Sequence, residues 1–311
     1  MSAAELRGRQ LVVDGTTPGG TTPDGTTTGV AQVNGVRLHY TRAGSGPLVV
    51  LLHGWPQTSR CWWPVLGELA RSHTVVAPDL RGYGRSDKPA TGYDKRTMAA
   101  DMAGLVESLG FRRAGVVGHD RGARVAHRWA LDRPEQVERI AVLDIVPTRE
   151  VMRRVDATIA SGYWHWFFHL QPDLPERLAG QDVRGYLEYF FERWTYNRHA
   201  LTDEAVDAYV TAFSRPGALR AGFDDYRAAE ADTALDDADF AEGRLLTVPV
   251  LALWGAAGLP AQLPTLDIWR DHSARPEQVT GAEIPECGHF IAEEAPEALL
   301  AHLREFLAKS A

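Results

Sequence analysis

Five short, mainly apolar runs recur along this chain, and they constrain its fold more than any other feature. They are Pro47 to Leu52 (PLVVLL), Thr74 to Ala77 (TVVA), Ala114 to Gly118 (AGVVG), Arg139 to Leu143 (RIAVL) and Val248 to Trp254 (VPVLALW). None alternates apolar with polar residues, so each reads as a strand buried on both faces. Strands of that kind need helices above and below them. The intervening segments supply helical patterns at Thr58 to Arg71, Asp94 to Leu109 and Arg121 to Leu131. A short last strand at Ala282 to Ile284 precedes an amphipathic helix at Ala295 to Leu307. The fold class expected is α/β: a mostly parallel sheet flanked by helices.

The rhythm breaks twice. Val33 to Tyr40 alternates around Asn34-Gly35, a hairpin signal. Residues 147–240 carry Trp, Tyr, Phe, Arg and Asp at helical spacing with no strand run, which predicts a helical insertion. The expected division is therefore a core of 30–146 and 241–311 with a helical cap at 147–240. Ahead of the core, residues 14–29 read DGTTPGGTTPDGTTTG, with little to bury, so 1–29 are expected to be disordered. The remaining composition excludes whole classes of function. The net charge of -8 disfavours a nucleic-acid partner and a polybasic membrane anchor. No apolar run approaches the roughly 20 residues of a membrane span. The opening residues lack the apolar stretch of a secretory signal, and the only cysteines are Cys61 and Cys287. A cytoplasmic, reducing setting is expected, with no disulfide framework and no metal site.

Chemistry concentrates at strand ends. Gly118-His119-Asp120-Arg121-Gly122 sits at a strand-to-helix turn with the spacing of a nucleophile elbow, and Asp120 takes the nucleophile's place. Asp is also a preferred helix N-cap, so the segment alone leaves both roles open. His53-Gly54-Trp55-Pro56 ends an earlier strand, where backbone N–H groups of Trp55 and Arg121 could form an oxyanion hole. Cys287-Gly288-His289-Phe290 follows the last strand, where a base is expected in the order nucleophile, acid, base. No Ser lies between Ser108 and Ser161, and no Cys between Cys61 and Cys287, so the elbow offers no hydroxyl or thiol. A carboxylate nucleophile attacks saturated carbon or an epoxide and forms an ester. Arg121 and Arg124 lie three apart on one helix face at its N-terminus, an arrangement suited to a substrate carboxylate.

In this order, the motifs resemble the α/β-hydrolase fold family over about Val30 to Leu307. The Asp-bearing elbow is similar to that of the haloalkane dehalogenases and epoxide hydrolases. Asp120-Arg121-Gly122-Ala123-Arg124 and Tyr163-Trp164-His165-Trp166 resemble the fluoroacetate (haloacetate) dehalogenases more closely. That resemblance implies a homodimer, no metal or organic cofactor, and a short 2-haloacid as substrate. It implies a triad of Asp120, Asp144 and His289. Many relatives place the acid after the strand ending at Trp254, but the loop there, Gly255 to Pro260, carries none; the next carboxylate is Asp267. It further implies His165, Trp166 and Tyr226 as donors to the departing halide, with Trp194 a candidate pocket-lining residue. Other aromatics of the run, such as Trp164, Phe167 and Phe168, are expected to pack the insertion's own core.

Two other readings stay open. An epoxide hydrolase would share Asp120 and His289 and draw an acid from Tyr163, Tyr186, Tyr189 or Tyr226, but it leaves the paired arginines unexplained. A non-catalytic ligand-binding protein could use the same scaffold, since fold does not fix function; an intact Asp120, Asp144 and His289 set argues against it.

Overall fold

The computed structural model describes residues 25–308. Its sheet has eight strands in the order β1-β2-β4-β3-β5-β6-β7-β8. The first two, β1 (Thr26–Val33) and β2 (Val36–Ala43), form the hairpin about Asn34-Gly35, and β2 pairs antiparallel with β4 (Thr74–Pro78). From β4 onward every pairing is parallel, through β3 (Leu48–Leu52), β5 (Ala114–His119), β6 (Val137–Leu143), β7 (Val250–Gly255) and β8 (Val279–Ile284). Every residue of β3, β4 and β5 is buried, as their unbroken apolar runs require.

Strand β1 corrects one expectation. Residues 26–29, read from composition as disordered, pair in continuous register with β2, from Thr26 opposite Ala43 to Val33 opposite Val36. Three threonines are compatible with a pleated edge, and the backbone ladder to β2 supplies what their small side chains cannot bury. The part of that expectation covering residues 1–24 lies outside the described residues.

Helices α1 (Trp63–Leu69), α2 (Lys95–Ser108) and α3 (Arg121–Asp132) alternate with the first parallel strands. Between β6 and β7 comes a run of helices and no strand: α4 (Thr148–Arg153), α5 (Ala157–Gly162), α6 (Trp164–His169), α7 (Leu174–Ala179), α8 (Val183–Trp194), α9 (Asp203–Phe213), α10 (Ala218–Arg227) and α11 (Ala229–Ala241). The chain then completes the core with α12 (Thr265–Asp271), α13 (Ile291–Glu294) and α14 (Pro296–Ala308). Trp55, fully buried just past β3, joins the two parts. Its indole is ringed by His165, His169, Tyr186, Phe190, Trp194, Phe213 and Tyr226, with centroids 4.8–6.4 Å away. The insertion is therefore seated on the mouth of the parallel sheet, above its carboxyl-terminal strand ends. No helix among the described residues is long and apolar enough to cross a membrane.

Candidate active site

Asp120 stands between β5 and α3 with φ 46° and ψ −115°. A non-glycine residue there carries roughly 1–3 kcal/mol of backbone strain, and the surroundings must hold it. They do so by crowding. A Cβ on Gly118 would collide with the backbone of Ala123, and one on Gly122 with the carbonyls of Leu52 and His53. The side chain of Asp120 makes no N-cap hydrogen bond to its helix. Instead Oδ2 accepts the backbone N–H of Trp55 at 3.0 Å. The capping role considered for Asp120 is thereby excluded.

His289 and Asp144 meet across 145 residues of chain. The Nδ1–H of His289 donates to Asp144 Oδ2 at 2.6 Å, and the other carboxylate oxygen, Oδ1, accepts the N–H of Gly255 at 3.0 Å. The carboxylate thus fixes the proton on Nδ1 and leaves Nε2 as the basic nitrogen. Nε2 is buried with no partner within the described residues. Burial lowers the affinity of His289 for a proton, but the hydrogen bond and charge of Asp144, with Asp120 and Glu294 beyond, outweigh it, and the net shift is upward. Burial likewise raises Asp144 against the opposing pull of His289. Asp267 points to solvent and pairs with Arg270 on α12, far from these groups in its contacts.

Arg121 and Arg124 are both buried, at 0% and 3% exposure, which removes the solvated-surface reading for them. The geometry nevertheless corrects the picture of two free guanidinium groups. Arg121 Nε and one terminal nitrogen donate to Asp225 Oδ1 at 3.1 and 2.6 Å, so part of its fork is already occupied. Its Nη1 has no partner among the described residues, nor has Nε of Arg124. Arg124 Nη1 donates to the Val146 carbonyl at 3.0 Å and to Thr148 at 3.1 Å. Burial and the neighbouring Arg121 together lower the proton affinity of Arg124, whereas Asp225 more than offsets burial at Arg121. Asp120 acts electrostatically on both.

The insertion brings the predicted aromatics to the same place. The Arg121 guanidinium lies 4.4 Å from the ring centroid of Tyr226 and 5.4 Å from that of Trp166; Arg124 lies 4.7 Å from Trp166. The His165 ring is 5.6 Å from Tyr226 and 4.8 Å from Trp194, and Trp194 is 5.1 Å from His289. Burial pushes His165 well below its ordinary value, so it is a neutral donor, and pushes the Tyr226 hydroxyl well above its own. Nδ1 of His165 has no partner among the described residues. Of the aromatics read as packing, Trp164 stacks on Phe190 at 5.7 Å.

A family model of the alpha/beta hydrolase fold matches residues 47–296. The chain belongs to the α/β-hydrolase fold family. The hydrolase is 38% identical over 284 residues to the soluble epoxide hydrolase of Corynebacterium sp. strain C12, covering 89% of this chain and 96% of that one. It is also 38% identical over 287 residues to the fluoroacetate dehalogenase of Burkholderia sp., covering 89% and 92%. Among solved structures it is similar to a Pseudomonas aeruginosa mutant protein named for the epoxide hydrolases and solved with bound MFA. That match has 39% identity and a TM-score of 0.88, and covers 93% of this chain and 98% of that one.

Three features of the hydrolase were not anticipated from sequence. Asp225 is the first: it is fully buried and also takes a hydrogen bond from Tyr83 at 2.6 Å and an ion pair from Lys95. An acid directly before Tyr226 was visible, but nothing local tied it to Arg121, 104 residues away. The second is the ring of aromatics about Trp55, for which only a backbone role was expected. The third is His119, whose ring N–H donates to the His289 carbonyl at 2.8 Å and so braces His289 from the elbow side. A cavity of about 270 Å³ lined by His39, Arg60, Asp79 and Arg215, among others, includes none of the predicted site residues. Among the described residues no group of His, Cys, Asp and Glu is placed to hold a metal ion.

Proposed function

We propose that the hydrolase removes halogen from a short 2-haloacid, fluoroacetate first among them, and yields the 2-hydroxy acid. The observation that carries this reading is the pair of buried guanidinium groups beside the Asp120 carboxylate, with Arg121 Nη1 and Arg124 Nε unpartnered among the described residues. A buried donor left unmatched costs roughly 1–3 kcal/mol, more when charged, and a bound carboxylate would satisfy both. An uncharged haloalkane has no oxygen to offer, and an epoxide has one, without the charge that two guanidinium groups favour.

In this scheme Oδ1 of Asp120 attacks the carbon bearing halogen, the carbon–halogen bond breaks, and an ester and a free halide result. His165, Trp166 and Tyr226 donate to the leaving halide; donors aimed at developing charge matter most for fluoride, a poor leaving group. Nε2 of His289 then takes a proton from water as the oxygen adds to the ester carbonyl of Asp120. The Trp55 N–H already on Oδ2, joined by that of Arg121, holds the resulting oxyanion. Collapse releases the hydroxy acid, protonated by way of His289, and restores the carboxylate. The net products are hydroxy acid, halide and one proton. Asp144 keeps the imidazole in the correct tautomer throughout.

The relative named as an epoxide hydrolase, at the same identity, supports a second reading with the same nucleophile and base. Burial raises Tyr226 and Tyr163 above the ordinary phenol value, so both keep the O–H that this reading would use, but it leaves the paired arginines unexplained. A panel of fluoro-, chloro- and bromoacetate with halide detection, run beside styrene oxide, separates the two. Halide release with little diol formation is expected. Diol without halide would replace the dehalogenase reading, and activity on neither would favour the ligand-binding alternative.

A further inference from the structure

The loop that carries His289 is tied both to the helix that follows it and to the insertion. Of its three central N–H groups, that of His289 crosses to the carbonyl of Trp194 at 2.7 Å, and those of Gly288 and Phe290 turn to Glu294, at the end of α13, at 3.0 and 2.9 Å. The same carboxylate accepts the N–H of Tyr196 at 2.7 Å and of Asn197 at 3.4 Å, in the segment just past α8 of the insertion. Four backbone donors thus converge on one side chain. The side chain of Glu294, with two acceptor oxygens, matches this set of donors. The contact is close enough that a Cβ on Gly288 would collide with the Trp194 carbonyl.

We propose that Glu294 is a positioning residue that locks the His289 loop to the end of α8, so that the base meets the Asp120 ester only while the insertion is seated. The inference rests on His289 being the base of the second half-reaction. Glu294 does not reach the reacting atoms. It acts through His289, and the half-reaction it serves is ester hydrolysis. Halide displacement needs no base.

The test compares the two half-reactions in wild type, Glu294→Gln and Glu294→Asp, by rapid mixing with bromoacetate or, where that is not turned over, styrene oxide. Gln keeps the shape but puts an amide donor among backbone donors; Asp keeps two acceptor oxygens on a shorter arm. In Glu294→Gln the ester on Asp120 should form within about threefold of the wild-type rate and decay at least about tenfold more slowly, so that it accumulates and is seen by mass. Both kcat and KM should fall, as they do when a later step limits, and Glu294→Asp should recover part of the loss. Equal slowing of both steps, or turnover without accumulated ester, overturns the proposal. If wild type forms no ester from either substrate, the chemical reading itself has failed, and Glu294 is judged on the far-downfield proton between His289 and Asp144. That resonance persisting unchanged in Glu294→Gln would likewise overturn it. Should Glu294→Gln not fold, Glu294→Asp carries the same comparison.

Discussion

The sheet and the insertion place their site residues by different physics. Asp120 and Asp144 each follow a parallel strand, each has a positive φ (46° and 54°), and each carboxylate accepts a backbone N–H from a neighbouring strand end. Their positions are set by strand-end turns and by main-chain donors that the sheet brings alongside. His165 and Trp166 lie on the six-residue helix α6, far too short to be stable alone. They stay in place because rings pack around Trp55 and because Asp225 of α10 reaches back to Arg121 of α3. The carboxylates are thus aimed by strand-end turns whose partners the sheet brings alongside, whereas the aromatics of the insertion are held by ring packing and by the charge pair between α10 and α3.

The largest effects should come from the sheet side. Asp120→Ala should lower turnover by roughly 10⁴-fold or more, since no other group can form the ester. His289→Asn should release at most about one halide per site and then stop, with the ester retained on Asp120, because displacement needs no base and hydrolysis does. Continued turnover by His289→Asn, or an adduct on another residue, would remove the two-step scheme.

Asp144→Asn should slow ester hydrolysis by roughly 10²- to 10⁴-fold with the fold intact, as the imidazole loses the partner that sets its tautomer. The pH dependence gives a sign to check. Hydrolysis needs neutral His289, whose proton affinity is raised from the ordinary 6.5, so this step should gain rate as pH rises through a value above that figure. Removing the Asp144 charge leaves burial, which lowers the affinity, so the limb should move to lower pH. The displacement step should show no such limb. An unmoved limb, or a damaging Asp267→Asn beside a silent Asp144→Asn, would transfer the role elsewhere.

The insertion side should respond in stability and binding before it responds in chemistry. Asp225→Asn leaves Arg121 and Lys95 buried with one counter-charge fewer, and breaking such a pair costs about 3–5 kcal/mol. The urea midpoint should fall and haloacid KM should rise together. Arg124 makes no contact with Asp225, so Arg124→Met should raise KM through a lost charge-assisted contact of about 1.5–3 kcal/mol, with a smaller change in midpoint. Unaltered binding in both variants would dissolve the carboxylate site.

This contrast also explains what could be read in advance. The buried strands, the elbow and the base were legible because each is a local pattern: an apolar run, two small residues about Asp120, a His after the last strand. Asp144 was legible only through family resemblance and the absence of an acid after Trp254; its bond to His289 spans 145 residues. The role of Asp225 was hidden for the same reason, since charge pairing across separate helices leaves no spacing signature. Strand β1 was missed because Gly and Thr read as loop when no partner strand is considered, and its pairing with β2 overrides that composition.

The smallest effect expected tests the insertion most finely. Trp166 lies beside both guanidinium groups and is 2% exposed, so a bulky replacement would confuse lost packing with lost hydrogen bonding. Trp166→Phe keeps an aromatic surface for Arg121 and Arg124 and removes only the indole N–H and part of the ring. A hydrogen bond to a departing anion is worth about 1.5–3 kcal/mol at most, and Tyr226 and His165 remain to share the charge. The first half-reaction should therefore slow by roughly tenfold for fluoroacetate. It should slow less for bromoacetate, because bromide leaves with less help and accepts hydrogen bonds more weakly. Ester hydrolysis should be nearly unchanged, since the halide has gone by then. Equal slowing for both halogens would make Trp166 a packing residue and narrow the halide site to Tyr226 and His165. A larger loss for bromide would mean that Trp166 sets pocket size and not leaving-group stabilisation.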